Sequence, residues 1–117
     1  MTATIDLLST NLHGVFGNRD QVSRRAAIES AYTDDVTFED PDETVVGWDA
    51  IEQKAAKLLA EAPEDFVFAE SGPAYVAGDT AALGWVFGPA DNPVVRGIDI
   101  ITVRDGRISR LKTLLQA

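Results

Sequence analysis

Two aspartates stand where an ionised side chain is costly. In VTFEDP, residues 36–41, strand alternation sends Val36, Phe38 and Asp40 to one face and Thr37 and Glu39 to the other. In VVRGIDIITV, residues 94–103, one face carries Val95, Gly97, Asp99, Ile101 and Val103. Burial disfavours the carboxylate anion. An aspartate among apolar side chains therefore becomes a base near neutral pH or a neutral hydrogen-bond donor. Two such acids in one small apolar site can divide those roles. Each alone has a simpler use: Asp40 can make a turn bond ahead of Pro41, and Asp99 can pair with an arginine such as Arg96 or cap a loop. Together they point to acid–base chemistry.

The remaining candidates are aromatic or singular. His13 is the one histidine, on the flank of an apolar helical stripe, where it is either a boundary residue or a polar contact for a ligand. Phe16 lies about one helical turn further on. Tyr32 falls at the junction of a helix and the VTFEDP segment, its hydroxyl able to reach a pocket or simply a core rim. Phe38 shares a face with Asp40. Leu83, Trp85 and Phe87 share another strand face, and Trp48 opens a helix. Such side chains suit the wall of an apolar ligand pocket as well as they suit a core. His13, Phe16, Tyr32, Phe38, Trp48 and Trp85 are therefore the expected ligand-contacting set. A metal site is not expected, because no second histidine or dense carboxylate cluster accompanies His13. No glycine-rich phosphate loop or nucleophile elbow is present, and no cofactor is expected.

The elements that must position these residues can be read from periodicity. Ile5, Leu8, Leu12, Val15 and Phe16 predict a helix over 4–16, stopped by Gly17-Asn18. Asp20 caps a second, alanine-rich helix over 20–32, and Thr33-Asp34-Asp35 breaks it. After Gly47 comes WDAIEQKAAKLLAEA, a third helix that Pro63 ends. The period then changes to two, predicting strands at 66–68, 74–76, 80–88, 94–103 and 107–115, the last two joined by an Asp105-Gly106 hairpin turn. The pattern is α+β: an antiparallel sheet with helices packed on one face, in a single domain over 1–117. In VVRGIDIITV both faces are substantially apolar, and helices can cover only one. A second copy of the chain is the economical cover for the other, although strand propensity alone can also place isoleucines there.

Composition narrows the partners. The chain has 117 residues, 45% hydrophobic and 25% charged, which suffices for one core without disulfides. It has no cysteine, which excludes thiolate metal sites and cysteine nucleophiles. A net charge of −9 repels phosphate backbones and anionic membrane surfaces. No signal peptide or bilayer-length apolar run is apparent, so a cytoplasmic protein is expected.

The order helix–helix–YTDDVTFEDP, then GWDAI opening a helix, then RGIDIITV-RDGRISRLKTLL at the end, also resembles a known group over nearly the whole chain. It is similar to the nuclear transport factor two-like superfamily, in its ketosteroid isomerase and SnoaL-like polyketide cyclase branch. The resemblance implies a cone: a strongly curved sheet wrapped around three N-terminal helices, an apolar pocket inside, and dimers formed through the sheet. In the isomerase, the aspartate of the corresponding EDP motif moves a proton between carbons of a bound ketone. Carried over, that base is Asp40. A second acid, in a segment resembling RGIDIITV, donates a hydrogen bond to the enolate oxygen, and that would be Asp99. The isomerase's first-helix tyrosine donor has no counterpart: its place falls near Leu12, with His13 beside it as a candidate replacement. Asp40, Asp99 and Arg96 also resemble the polar set of the limonene epoxide hydrolases, but Arg96 is on the opposite strand face from Asp99. The expected function is proton abstraction next to a carbonyl of a small apolar compound, leading to isomerisation or aldol-type cyclisation. The alternative is a non-catalytic ligand-binding or association module, since one fold can host both.

Overall fold

The computed structural model describes residues 3–117. Three helical elements precede most of the sheet. The first, α1 (Thr4–Ser9), runs on into a wider π-helical segment, Thr10–Phe16, closed by the Gly17 N–H donating to the Leu12 carbonyl at 2.8 Å. Helix α2 is Gln21–Ala31, capped as expected by the Asp20 carboxylate, which accepts from the Ser23 N–H at 2.9 Å. Helix α3 is Trp48–Glu61. None of the described helices is long and apolar enough to cross a membrane.

The strands are β1 (Tyr32–Glu39), β2 (Thr44–Val46), β3 (Val67–Glu70), β4 (Tyr75–Ala77), β5 (Thr80–Gly88), β6 (Val95–Arg104) and β7 (Arg107–Leu115). They form one sheet in the order β2-β1-β7-β6-β5-β3, with β4 also on β5. The expectation of a wholly antiparallel sheet needs correction. β1 runs parallel to β7, pairing Phe38 with Leu111 and Glu39 with Lys112. The long excursion between them, from residue 40 to 106, supplies the crossover that parallel pairing requires. Two local readings also change. The second helix stops at Ala31 and residues 32–35 already belong to β1, and β2 was not expected at all.

Gly47 makes the turn from β2 into α3. Its φ of +98° lies in the region that L side chains avoid, and its N–H donates to the Val36 carbonyl at 2.8 Å. Trp48 follows at the first helical position, and its indole N–H donates to the Tyr32 carbonyl at 3.0 Å.

Helices and sheet meet over one core that includes Leu8, Leu12, Val15, Ile28, Ile51, Ile101, Ile108 and Leu111. In α1 the buried residues are Leu7 and Leu8, while Ile5 is half exposed, so Leu7 takes the place expected of Ile5 in the apolar stripe. A bulge in β7 decides which side chains reach the interior. Thr102 pairs with Arg110 but Val103 pairs with Ile108, leaving Ser109 as the extra residue. Plain alternation from the buried Ile108 would turn Arg110, Lys112 and Leu114 inward. The extra residue instead puts buried Leu111 on the core face, with Thr113 and Leu115 two and four residues on at the wall of the interior cavity.

Candidate functional site

A cavity of about 430 Å³ opens between α3, the π-helical segment and the inner face of the sheet. Its walls are mainly apolar, supplied by Leu12, Phe16, Phe38, Phe68, Trp85 and Phe87. The aromatics are packed against one another. Phe68 stacks on Phe87 with ring centres 4.1 Å apart and meets Trp85 edge-on at 5.3 Å. Such contacts hold the wall in one shape at little entropic cost on ligand entry.

Asp40 and Asp99 both lie on this wall. Asp40 sits one residue past β1, and a tight turn aims it. Its Oδ1 accepts the N–H groups of Asp42 at 2.9 Å and Glu43 at 3.0 Å, while its own N–H donates to the Glu43 carbonyl. Pro41 fits the second position of that turn, where φ near −65° is required. Its other oxygen, Oδ2, lies 2.6 Å from the Lys54 ammonium. The turn bond and the pocket placement are thus compatible, one carboxylate oxygen serving each.

The expected elevation of the Asp40 pKa is not found. Partial burial pushes it up, but the Lys54 ammonium and the two backbone N–H groups outweigh that and hold it below the usual aspartate range. Asp40 is therefore an anion at neutral pH. Lys54, on α3, also contacts Glu43 Oε2 at 3.1 Å and lies 5.5 Å above the Phe38 ring. Burial pushes the ammonium's pKa down, yet Asp40 and Glu43 together keep it above the ordinary lysine value.

Asp99 is 6% exposed and deeper. Its Oδ1 accepts from the Trp85 indole N–H at 3.0 Å and from the Thr113 hydroxyl at 2.8 Å, and its Oδ2 accepts from the Asn11 amide at 2.8 Å. Desolvation raises its pKa, with the bonds from Thr113, Trp85 and Asn11 opposing. Its three partners take two acceptor sites on Oδ1 and one on Oδ2, so one site on Oδ2 remains, and the Thr113 hydroxyl and the Asn11 amide oxygen are both groups able to accept in return.

The other sequence candidates divide. Phe16, Phe38 and Trp85 line the cavity. His13 does not: its ring is 44% exposed and faces Glu70 Oε2 at 3.4 Å. Its helix flank points to solvent, so it does not replace a missing donor. Tyr32 is wholly buried, and its hydroxyl donates to Asn11 Oδ1 instead of reaching the cavity. Burial, and then the nearby Asp99, push its phenol pKa well up. Trp48 is spent on the Tyr32 carbonyl and stands outside the lining.

Asn11, Lys54 and Thr113 escaped the sequence reading. An asparagine in an apolar stripe, flanked by Leu8, Leu12 and Val15, was a signal for Asn11, because a buried amide must find partners. Lys54 sits in EQKAAK among other charged residues and gives none. Thr113 is turned inward by the β7 bulge alone.

Among the described residues there is no cluster of three or more metal-ligating side chains. What the arrangement offers is an anionic base, an adjacent ammonium and a buried acid on one apolar wall.

Comparison with known proteins places this geometry. A family model for the SnoaL-like domain matches residues 12–111. No curated protein matches the chain in sequence. Many solved structures share its fold, three of which illustrate it. A provisionally named isomerase of the SnoaL-like family from Agrobacterium tumefaciens superposes with a TM-score of 0.88 at 20% identity, covering 97% of each chain. A provisionally named ketosteroid isomerase from Kribbella flavida gives 0.74 at 20% identity, over 97% of this chain and 78% of that one. A provisionally named SnoaL-like polyketide cyclase from Jannaschia sp. gives 0.79 at 13% identity, over 97% and 85%. At these identities the structural likeness establishes the fold, and the match over residues 12–111 establishes the family. The chain belongs to the SnoaL-like domain family.

Proposed function

We propose that this protein binds a small, largely apolar carbonyl compound and removes a proton from the carbon next to the carbonyl, as an isomerase or cyclase would. The observation that carries the reading is the ionised Asp40 carboxylate on the wall of a mainly aromatic cavity. An anion held below the usual aspartate range is a weak base, but it is in its basic form throughout the neutral range. In a site from which water is excluded its effective basicity rises. Names given to fold relatives, isomerase and polyketide cyclase, support the same reaction class. Asp99 serves as a buried acid on the cavity wall, fixing Trp85, Thr113 and Asn11 around it. No step requires a redox partner.

The test is deuterium uptake from heavy water at the position next to the carbonyl, across a panel of apolar cyclic ketones. The parent should catalyse exchange with at least one, and Asp40→Asn should bind that ketone equally well and exchange it no faster than buffer. A parent that accelerates no exchange sinks the reading, and the binding-module alternative then takes its place.

We also propose that a second copy covers the outer sheet face. That face carries Ala82, Val86, Ile98, Ile100 and Leu114, with Ile98 44% and Leu114 42% exposed. Two of its cations, Arg110 and Lys112, are matched by Glu39 at 3.3 and 3.7 Å, which reduces repulsion between two like faces, while Arg96 lies on the same face opposite Val86.

A further inference from the structure

We propose that Lys54 receives the ligand's carbonyl oxygen, so that Asp40 and Lys54 act as one matched pair on a C–H bond and the oxygen beside it. This inference rests on the proton-abstraction reading and adds to it the orientation of the substrate. The carbonyl points toward α3, not toward Asp99.

The first ground is a count of donors on the cavity wall. The Trp85 indole N–H and the Thr113 hydroxyl are both committed to Asp99, and Asn11 stands behind the wall. An ammonium has three N–H groups. Those of Lys54 have two acceptors among the described residues, Asp40 Oδ2 at 2.6 Å and Glu43 Oε2 at 3.1 Å. One donor therefore remains, on a side chain that lines the cavity and is 21% exposed. Lys57 also reaches the lining, but it is an exposed residue one turn further along α3.

The second ground is geometric. In a ketone the oxygen and the carbon that loses the proton share one carbonyl carbon and lie about 2.4 Å apart. A base and a hydrogen-bond donor that meet those two atoms must themselves be neighbours. Asp40 Oδ2 and Lys54 Nζ are neighbours at 2.6 Å. A substrate entering between them need only part the pair slightly, and the flexible lysine stem permits this.

The third ground is charge. As the C–H bond breaks, its electron pair forms the enolate C=C, the carbonyl π pair moves to oxygen, and the proton goes to Asp40. The negative charge leaves Asp40 and appears on the oxygen beside Lys54. The ammonium keeps an anionic partner at every stage, so little reorganisation is needed in a low-dielectric site. The proton then returns from Asp40 to another carbon, giving an isomer, or the enolate carbon attacks a second carbonyl of the same molecule, whose π pair moves to its oxygen and takes the proton back from Asp40, giving a ring alcohol. Because Asp40 and Glu43 keep the lysine protonated, it acts as a cation and not as an imine-forming amine.

Two measurements test the inference separately from the reaction. The first is binding of 2-naphthol, an enolate-like probe, followed by intrinsic fluorescence above and below its ionisation. In Asp40→Asn, which mimics the proton-loaded base, the naphtholate should bind at least about tenfold more tightly than neutral naphthol, and adding Lys54→Gln should erase that preference. An unchanged preference in the double variant overturns the role of Lys54, whatever the parent catalyses. The second is exchange of 2-tetralone in heavy water. Lys54→Gln should lower kcat by about two orders of magnitude, the usual cost of one lost oxyanion donor, with KM little changed. Lys54→Arg should recover part of it. Exchange that is undiminished in Lys54→Gln, alongside an active parent, refutes the inference and leaves the base assignment standing. An inactive parent that still shows the lysine-dependent naphtholate preference refutes the proton-abstraction reading and keeps Lys54 as the group that recognises the oxygen.

Discussion

The Trp85 indole lies directly across Gly97, its register partner on the neighbouring strand, so closely that a Cβ on Gly97 would sit 2.8 Å from the indole Cε2. The missing side chain makes the space in which the ring lies flat and points its N–H at Asp99. The same added carbon would also lie 2.7 Å from the Leu114 carbonyl, which is backbone and cannot step aside. Gly97→Ala should therefore destabilise by about 1–3 kcal/mol, the usual cost of overpacking. It should also shift the near-ultraviolet circular dichroism of the tryptophans. Retained stability with an unchanged tryptophan spectrum would show that the ring does not depend on this gap.

Asp99 makes stability depend on pH in a defined direction. Its folded pKa is raised, so its contribution is intact below the unfolded value, about 3.9, and is lost as pH rises toward the folded one. Asp99→Asn keeps a polar group of the same shape and cannot ionise, so it should gain on the parent as pH rises above the unfolded value, about 3.9. Asp99→Leu instead strands the donors of Trp85, Thr113 and Asn11, and a loss of about 3 kcal/mol or more is expected. Urea unfolding across that pH range reads both variants.

Asp40 has the opposite sign. Its folded pKa is lowered, so its contribution is present above the unfolded value and lost as pH falls through the folded one. Asp40→Asn should cost about 1 kcal/mol at pH 7, and that difference should shrink as pH falls below the unfolded value, about 3.9, toward the lower folded one. A difference that persists in acid would mean that turn geometry, and not charge, is what Asp40 contributes.

The buried chain from Tyr32 through Asn11 to Asp99 should behave as a unit. Tyr32→Phe leaves one acceptor of Asn11 empty and should cost about 1–2 kcal/mol. Asn11→Leu leaves both the tyrosine hydroxyl and one Asp99 oxygen without their partner and should cost more. The double variant should cost clearly less than the sum, since the two losses share a bond. Additive values from thermal or urea unfolding would argue that the amide and phenol are independent.

Assembly is open to a direct check. Ile98→Lys places a charge at the centre of the outer apolar face, next to Leu114 on β7 and Gly84 on β5. Light scattering at micromolar concentration should give twice the chain mass for the parent and a monomer for the variant. A monomeric parent removes the second copy from the outer face.

Much of this was legible in order. Hydrophobic period placed the helices and the five later strands within a few residues, because a helix stripe and a strand alternation are local consequences of 3.6- and 2-residue repeats. The inward setting of Asp99 was equally local, since Ile101 on the same strand face fixes the side. Three things were decided only by the tertiary structure. The parallel pairing of β1 with β7 depends on a crossover of more than sixty residues, and no window of sequence contains it. The Ser109 bulge breaks strand alternation and turns Thr113 inward, so period-two reading sends the wrong β7 side chains to the cavity. The state of each acid was set by neighbours remote in the chain. Lys54 and the N–H groups of its own turn hold Asp40 as an anion just past an apolar strand face, and Asn11, Trp85 and Thr113 surround Asp99 from three different elements. Local sequence period determines which residues a regular strand or helix buries. Which charge or donor waits there is a property of the packed whole, because electrostatic interactions depend on distances that only folding sets.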